Sequence, residues 1–137
     1  MTQFLIFLGQ QWLLIGALMV LVFLYIQSEI KRGGQTISVH QLTLLVNREN
    51  ALVLDVRENA EFKEGHIIDA LHIPFTKLKE RLGELDKYKD KPIVIVDKMG
   101  QHSGAAGKQL REVGFNVSRL DGGMTEWRSS NLPVIKE

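Results

Sequence analysis

Residues Phe4 to Ile26 read FLIFLGQQWLLIGALMVLVFLYI, an apolar run of 23 residues interrupted only by Gln10 and Gln11. Such a run has to be kept from water along its whole length. As a helix rising about 1.5 Å per residue it spans roughly 34 Å, enough to cross the hydrocarbon core of a bilayer. The first 28 residues carry no Asp, Glu, Lys or Arg. A cleaved signal peptide is the competing reading, but its apolar region is normally shorter, no basic residue precedes the run, and YIQSEIKRG offers no small-x-small cleavage site. The sequence therefore predicts an uncleaved transmembrane anchor over residues 1–28, a linker over 29–35 and a separate domain over 36–137. Bilayer lipid would surround residues 4–26.

Lys31 and Arg32 follow the run directly, so the positive-inside rule places a single-pass chain in the cell's inner (plasma) membrane with its C-terminal domain cytoplasmic. Gly33 and Gly34 give a flexible joint between helix and domain. Trp12 and Tyr25 suit the headgroup region but are too close together to mark both interfaces. The amides of Gln10 and Gln11 need hydrogen-bond partners, from a neighbouring helix or from the outer headgroup layer, and the sequence leaves both open.

All 17 Lys and Arg and all 16 Asp and Glu lie within residues 29–137, with both signs interspersed and a net charge of +1. Nucleic-acid-binding domains concentrate basic residues on one face to neutralise phosphates, so no nucleic-acid partner is expected. KLKERLGELDKYKDK is charge-rich, but its signs alternate as on a solvated helix face.

After the anchor, strands alternate with helices. QTIS opens a short strand, Ser38 caps a helix striped by Val39, Leu42, Leu45 and Val46, and ALVLDVR is the near-continuous apolar run of a strand covered on both faces. A short helix at Ala60 to Glu64, a strand at Leu71 to Ile73 closed by Pro74, and a helical pattern from Thr76 to Lys89 follow. Ile93 to Val96 is the next strand. A helix from Ser103 to about Val113 stops at Gly114, FNVSRL is the last strand, and MTEWRSS is a final helix with Trp127 covering the core edge. This order predicts an α/β fold, a parallel sheet with helices on both faces, in which ligands bind beyond the carboxyl ends of the strands. Asp55, Arg57 and Asp97 fall at such ends.

The stretches DVRENAEFKEGHIIDALHIPF (Asp55 to Phe75) and GQHSGAAGKQLREVGFNVSRLDGGMTEW (Gly100 to Trp127) resemble, in order, the two long patterns of rhodanese-like domains, over roughly residues 36 to 135. Asp69 departs from the pattern, standing where glycine is usual. The resemblance implies a rhodanese-like parallel sheet preceded here by one N-terminal transmembrane helix. In active members the fourth strand ends in a cysteine that carries a persulfide, wrapped by a six-residue loop of backbone N–H groups. The matching loop is DKMGQH: Asp97, Lys98, Met99, Gly100, Gln101 and His102, with Asp97 at the cysteine position and His102 at the closing position, often arginine.

The chain has no cysteine. Persulfide transfer needs a thiolate that attacks and holds sulfane sulfur, so no residue here can run it. The N–H groups of the loop are expected instead to accept the Asp97 carboxylate as an internal ligand, with Lys98 and His102 as additional partners and Asp55, Arg57 and Ser103 in support. The loop then reads as vestigial or as a binding loop, and the chain as a membrane-anchored rhodanese-like domain, inactive as a sulfurtransferase, that binds or scaffolds a protein partner of unknown identity without a cofactor.

Two alternatives remain at this stage. Asp97 could act as a phosphoryl acceptor, which needs a Mg²⁺ site with a second carboxylate such as Asp55. The loop could also serve sulfur transfer on a thiol supplied by a partner. His40, His66, His72 and His102 lack the close spacing of a metal site, and His66 reads as a structural hydrogen-bonding residue. Arg57 reads as a strand-end ion pair, and Gly122 and Gly123 as a turn with positive φ.

Overall fold

A computed structural model describes residues 1–32 and 34–136, with the side chains of residues 30–32 excepted. The chain divides into two units, Met1–Lys31 and Arg32–Glu137. The first is a single helix, α1 (Thr2–Arg32), whose segment Thr2–Glu29 is long and apolar enough to cross a membrane. The helix continues past the apolar run through the first charged residues. Gly33, within the expected joint, lies outside the described residues, as do the side chains of Lys31 and Arg32 on which the expected orientation rests.

The second unit carries β1 (Gln35–Ile37), α2 (Val39–Glu49), β2 (Leu52–Asp55), α3 (Asn59–Glu64), β3 (Leu71–His72), α4 (Phe75–Leu78), a 3-10 helix (Leu82–Tyr88), β4 (Ile93–Val96), α5 (Ser103–Glu112), β5 (Val117–Leu120) and α6 (Gly123–Ser129). The strands form one parallel sheet in the order β1-β5-β4-β2-β3. Its centre is β4, whose four residues are fully buried. Alternation along this strand divides the core: Ile93 and Ile95 face a layer built with Leu54, Leu78, Leu85 and Leu110, while Val94 and Val96 face Leu42, Val53, Met124 and Trp127. Helices thus cover both faces, as expected from the element order.

Local signals account for several boundaries. Ser38 caps α2 reciprocally, its Oγ accepting from the Gln41 N–H at 3.2 Å while the Gln41 Oε1 accepts from the Ser38 N–H at 2.9 Å. Gly114, at φ +95°, ends the turn after α5. Asp69 sits at φ +61°, a left-handed conformation that glycine adopts freely and a short polar side chain tolerates. That explains how aspartate can stand where the related pattern has glycine.

One expected element is corrected. The helical pattern from Thr76 to Lys89 is not continuous: α4 ends at Leu78, Arg81 adopts φ −107° and ψ 12°, and the rest is a 3-10 helix. Leu82, Leu85 and Tyr88 recur every three residues, and a three-residue turn aligns all of them on one core-facing stripe. Gly83 removes part of the preference for a regular α-helix.

Strand order also places the site. From β2 the chain passes outward to β3, and from β4 it passes the other way to β5, so a crevice opens beyond the paired ends Asp55 and Val96. The segments holding Arg57 and Asp97 flank it.

Leu85 is fully buried in the 3-10 helix. Leu85→Ala should lower stability by about 2–4 kcal/mol in denaturant unfolding of the full chain in micelles. Gly83→Ala, with nothing within 4 Å of the added Cβ, should leave stability unchanged or raise it by about 0.5 kcal/mol.

Candidate functional site

The hydrophobic run of β4 carries the chain into the sheet's carboxyl edge and releases it at Asp97, which is only 2% exposed. A carboxylate so buried needs donors, and the following loop supplies them. Oδ1 accepts from the Gly100 N–H, while Oδ2 accepts from the N–H groups of His102 at 2.7 Å and Ser103 at 3.0 Å. Gly100 reaches this arrangement at φ +103°. Ser103 begins α5, so its N–H belongs to the electropositive end of that helix.

The loop is braced from within and from outside. Ser103 Oγ donates to the Gly100 carbonyl at 3.3 Å, and the Met99 N–H donates to Gln101 Oε1 at 3.3 Å. The start of α6 grips the loop backbone: the Met124 N–H donates to the Asp97 carbonyl at 2.8 Å, and both the N–H and Oγ1 of Thr125 donate to the Lys98 carbonyl at 3.0 Å. Gly123, at φ +56°, is pressed into this contact. A Cβ there would collide with the Asp97 carbonyl oxygen and stand 2.9 Å from its Oδ1. The His102 ring stacks on Phe75, centroids 4.9 Å apart.

At the neighbouring strand end Asp55 and Arg57 are 1% and 5% exposed. Arg57 Nε and Nη2 donate to Asp55 Oδ1 and Oδ2 at 3.0 and 2.8 Å, and the Arg57 N–H closes the turn onto Oδ1 at 3.0 Å. Nη2 also donates to the Gly65 carbonyl at 2.8 Å. Phe62 lies between the rings of His66 and His72, at centroid distances of 3.8 and 4.2 Å. His66 Nδ1–H donates to the Phe62 carbonyl at 2.9 Å and His72 Nε2–H to the Arg57 carbonyl at 2.8 Å. These bonds shape the segment that carries Arg57.

The structure thus brings Asp97, Gly100, His102 and Ser103 together on one carboxylate. His102 contributes its backbone N–H there, while its ring goes to Phe75. The Lys98 ammonium extends to Glu61, 4.0 Å away, and Lys98 and Met99 are exposed at the rim. Asp55 and Arg57 bond to each other and to Gly65. Among the described residues no group of three or more His, Asp or Glu is placed to hold a metal ion. Sequence reasoning missed the grip of α6 on the loop; of the paired glycines that it read as a positive-φ turn, Gly123 also stands where a Cβ would collide with the loop backbone.

Chemically, the arrangement is an anion receptor whose anion is part of the chain. The carboxylate meets converging N–H dipoles and a helix start, and both of its oxygens are engaged.

Comparison with known proteins identifies the family of the domain. The family model described as Rhodanese-like domain matches residues 38–130. The chain is 33% identical over 125 residues to the uncharacterized protein YibN of Escherichia coli K12, covering 90% of this chain and 85% of that protein. It is 33% identical over 96 residues to the thiosulfate sulfurtransferase GlpE of Shewanella oneidensis, covering 69% of this chain and 93% of that protein. Among solved structures, a rhodanese-related protein from Thermoplasma volcanium superposes with a TM-score of 0.69 at 30% identity, covering 75% of this chain and 99% of that one.

Asp97→Ala would leave the buried Ser103 N–H and the part-buried Gly100 and His102 N–H groups without their acceptor and should cost about 2–4 kcal/mol in the same unfolding measurement. Gly123→Ala should cost about 2 kcal/mol or more, because the added methyl forces the loop and α6 apart.

Proposed function

The chain belongs to the rhodanese-like domain family, and from that premise we propose that it is a membrane-anchored member, silent as a sulfurtransferase, that serves as a protein-binding or scaffold module. The observation that carries this reading is the Asp97 carboxylate bonded by the Gly100, His102 and Ser103 N–H groups, in a chain without cysteine. In thiosulfate sulfurtransfer a thiolate attacks the outer sulfur of thiosulfate, sulfite leaves, and cyanide then takes the sulfur from the persulfide as thiocyanate. A carboxylate cannot form that persulfide, and here it fills the space and the hydrogen bonds a persulfide would use.

Residues 1–28 are the membrane anchor and 36–137 the domain, held at the cytoplasmic face of the inner membrane; of the expected linker 29–35, residues 29–32 continue helix α1 and Gln35 begins β1. The apolar helix α1 supports the anchor, and Lys31 and Arg32 in the sequence support the orientation. Met99, 58% exposed, and Lys98 at the rim of the loop are the residues a partner would meet first. The phosphoryl-acceptor reading has less support, since both Asp97 oxygens are engaged and Asp55 is paired with Arg57.

The full chain in detergent should form no thiocyanate from thiosulfate and cyanide above background, and turnover by the wild type would overturn the reading. Asp97→Cys, placing a thiol among the same N–H groups, should raise thiocyanate formation about tenfold or more over the wild type. Affinity capture from solubilised membranes should recover a protein partner whose yield falls when Lys98→Glu and Met99→Ser are combined, with thermal unfolding unchanged.

A further inference from the structure

Helix α1 carries four glutamines, and three of them share a face. Steps of three and four residues from Gln3 give positions 3, 6, 10, 13, 17, 20, 24 and 27, so Gln3, Gln10 and Gln27 fall on one seam with apolar side chains or alanine between them. The helix runs unbroken from Thr2 to Arg32, which keeps the seam in phase along its length. A repeat of 3.5 residues is the pattern by which two helices wrap around each other. Every residue of the seam is exposed.

The seam also leaves room for a close neighbour. Gly9 and Gly16 flank it one heptad apart, and a Cβ at either would meet nothing within 4 Å, so packing within the chain gives no reason for glycine inside this helix. Beside Gly16, the small Ala17 leaves a groove lined by Trp12, Leu13, Gly16, Ala17, Val20 and Leu21. Small residues let two helix backbones approach each other within a bilayer. Gln10 adds a polar requirement. The apolar residues Phe4 to Leu8 precede it, and with the run Phe4 to Ile26 centred in the bilayer its backbone lies about 7–8 Å from the midplane, inside the hydrocarbon. An amide there needs a hydrogen-bond partner that lipid tails do not offer.

With α1 as a membrane anchor, the reading on which this rests, we propose that the face marked by Gln10, Leu13, Ala17 and Val20 is the seam of a parallel helix pair formed with a second copy of this chain. Copies inserted with one topology lie parallel, so each seam residue meets its own counterpart at the same depth. Gln10 then meets the partner's Gln10, and an amide, which both donates and accepts, satisfies its copy. Gln3 and Gln27 meet their counterparts near the two ends, and every apolar layer meets an apolar layer. A different helix would have to carry hydrogen-bonding groups at these same three depths, whereas a second copy matches them by symmetry. Gln11, about 100° around the helix from Gln10, is partly covered and lies off the seam.

Because the chain has no cysteine, one introduced thiol reports on one position alone. The test uses the purified full chain in vesicles of phosphatidylcholine and phosphatidylglycerol, oxidised with copper phenanthroline and read as covalent dimer on non-reducing gels. Leu13→Cys, Ala17→Cys and Val20→Cys on the seam should form dimer about fivefold or more faster than Ile15→Cys, Leu18→Cys and Val22→Cys off it, since a disulfide bridges only Cα atoms within about 7 Å. Combined with Ala17→Cys, Gln10→Leu should slow dimer formation about threefold or more, while Gln11→Leu leaves it unchanged. Equal rates on and off the seam, or equal effects of the two glutamine substitutions, would overturn the proposal. So would a benzophenone attached at Ala17→Cys that, in native membranes, is trapped on a different protein while the vesicles yield no dimer. A chain that does not float with the vesicles overturns the anchor reading and this proposal with it. A chain that floats and cross-links without preference for the seam overturns this proposal alone.

Discussion

A buried carboxylate in a ring of backbone N–H groups is the interaction on which the site depends. Asp97 is almost wholly withdrawn from water, and an unpaired charge there would be untenable. The loop resolves this by turning the N–H groups of Gly100, His102 and Ser103 onto its two oxygens. The same convergence of dipoles that would steady an external anion now steadies an internal one, so loop conformation and ligand are parts of one chain.

The rest of the domain holds that ring in place. The buried β4 fixes where Asp97 emerges, strand order opens the crevice beside it, and α6 ties the Asp97 and Lys98 carbonyls through Met124 and Thr125. Gly123 matters because it is where α6 comes closest. On the other side the closed Asp55–Arg57 pair, the Gly65 carbonyl and the Phe62 stack give the crevice a second wall whose polar groups are already satisfied.

Much of this was legible in the sequence because it depends on local patterns. The apolar run of α1, the Ser38 cap, the uninterrupted β4 and the glycine after α5 each announce themselves within a few residues. The loop DKMGQH could be located by its place between strand and helix. What could not be read depends on distant contact or on a choice between near-equal periods. Leu78, Leu82 and Leu85 fit an α-helix as well as a 3-10 turn, and only packing of Leu82, Leu85 and Tyr88 on one core decides. Lys98 was expected as a partner of the Asp97 carboxylate, but its ammonium lies 4.0 Å from Glu61 of α3 instead, an acid from a segment that only the fold brings near. The grip of α6 joins segments 27 residues apart, as in the Thr125 Oγ1 bond to the Lys98 carbonyl, beyond the reach of any periodic signal.

The most direct test of the internal-anion account is the backbone amide proton spectrum of the full chain in micelles, compared with Asp97→Asn, which keeps the shape and removes the charge. Strong charge-assisted bonds place the Gly100, His102 and Ser103 amide protons far downfield, and the substitution should move them upfield while amides of β1 and α2 stay in place. Amide protons of that loop that resonate at ordinary positions and ignore the substitution would contradict the account.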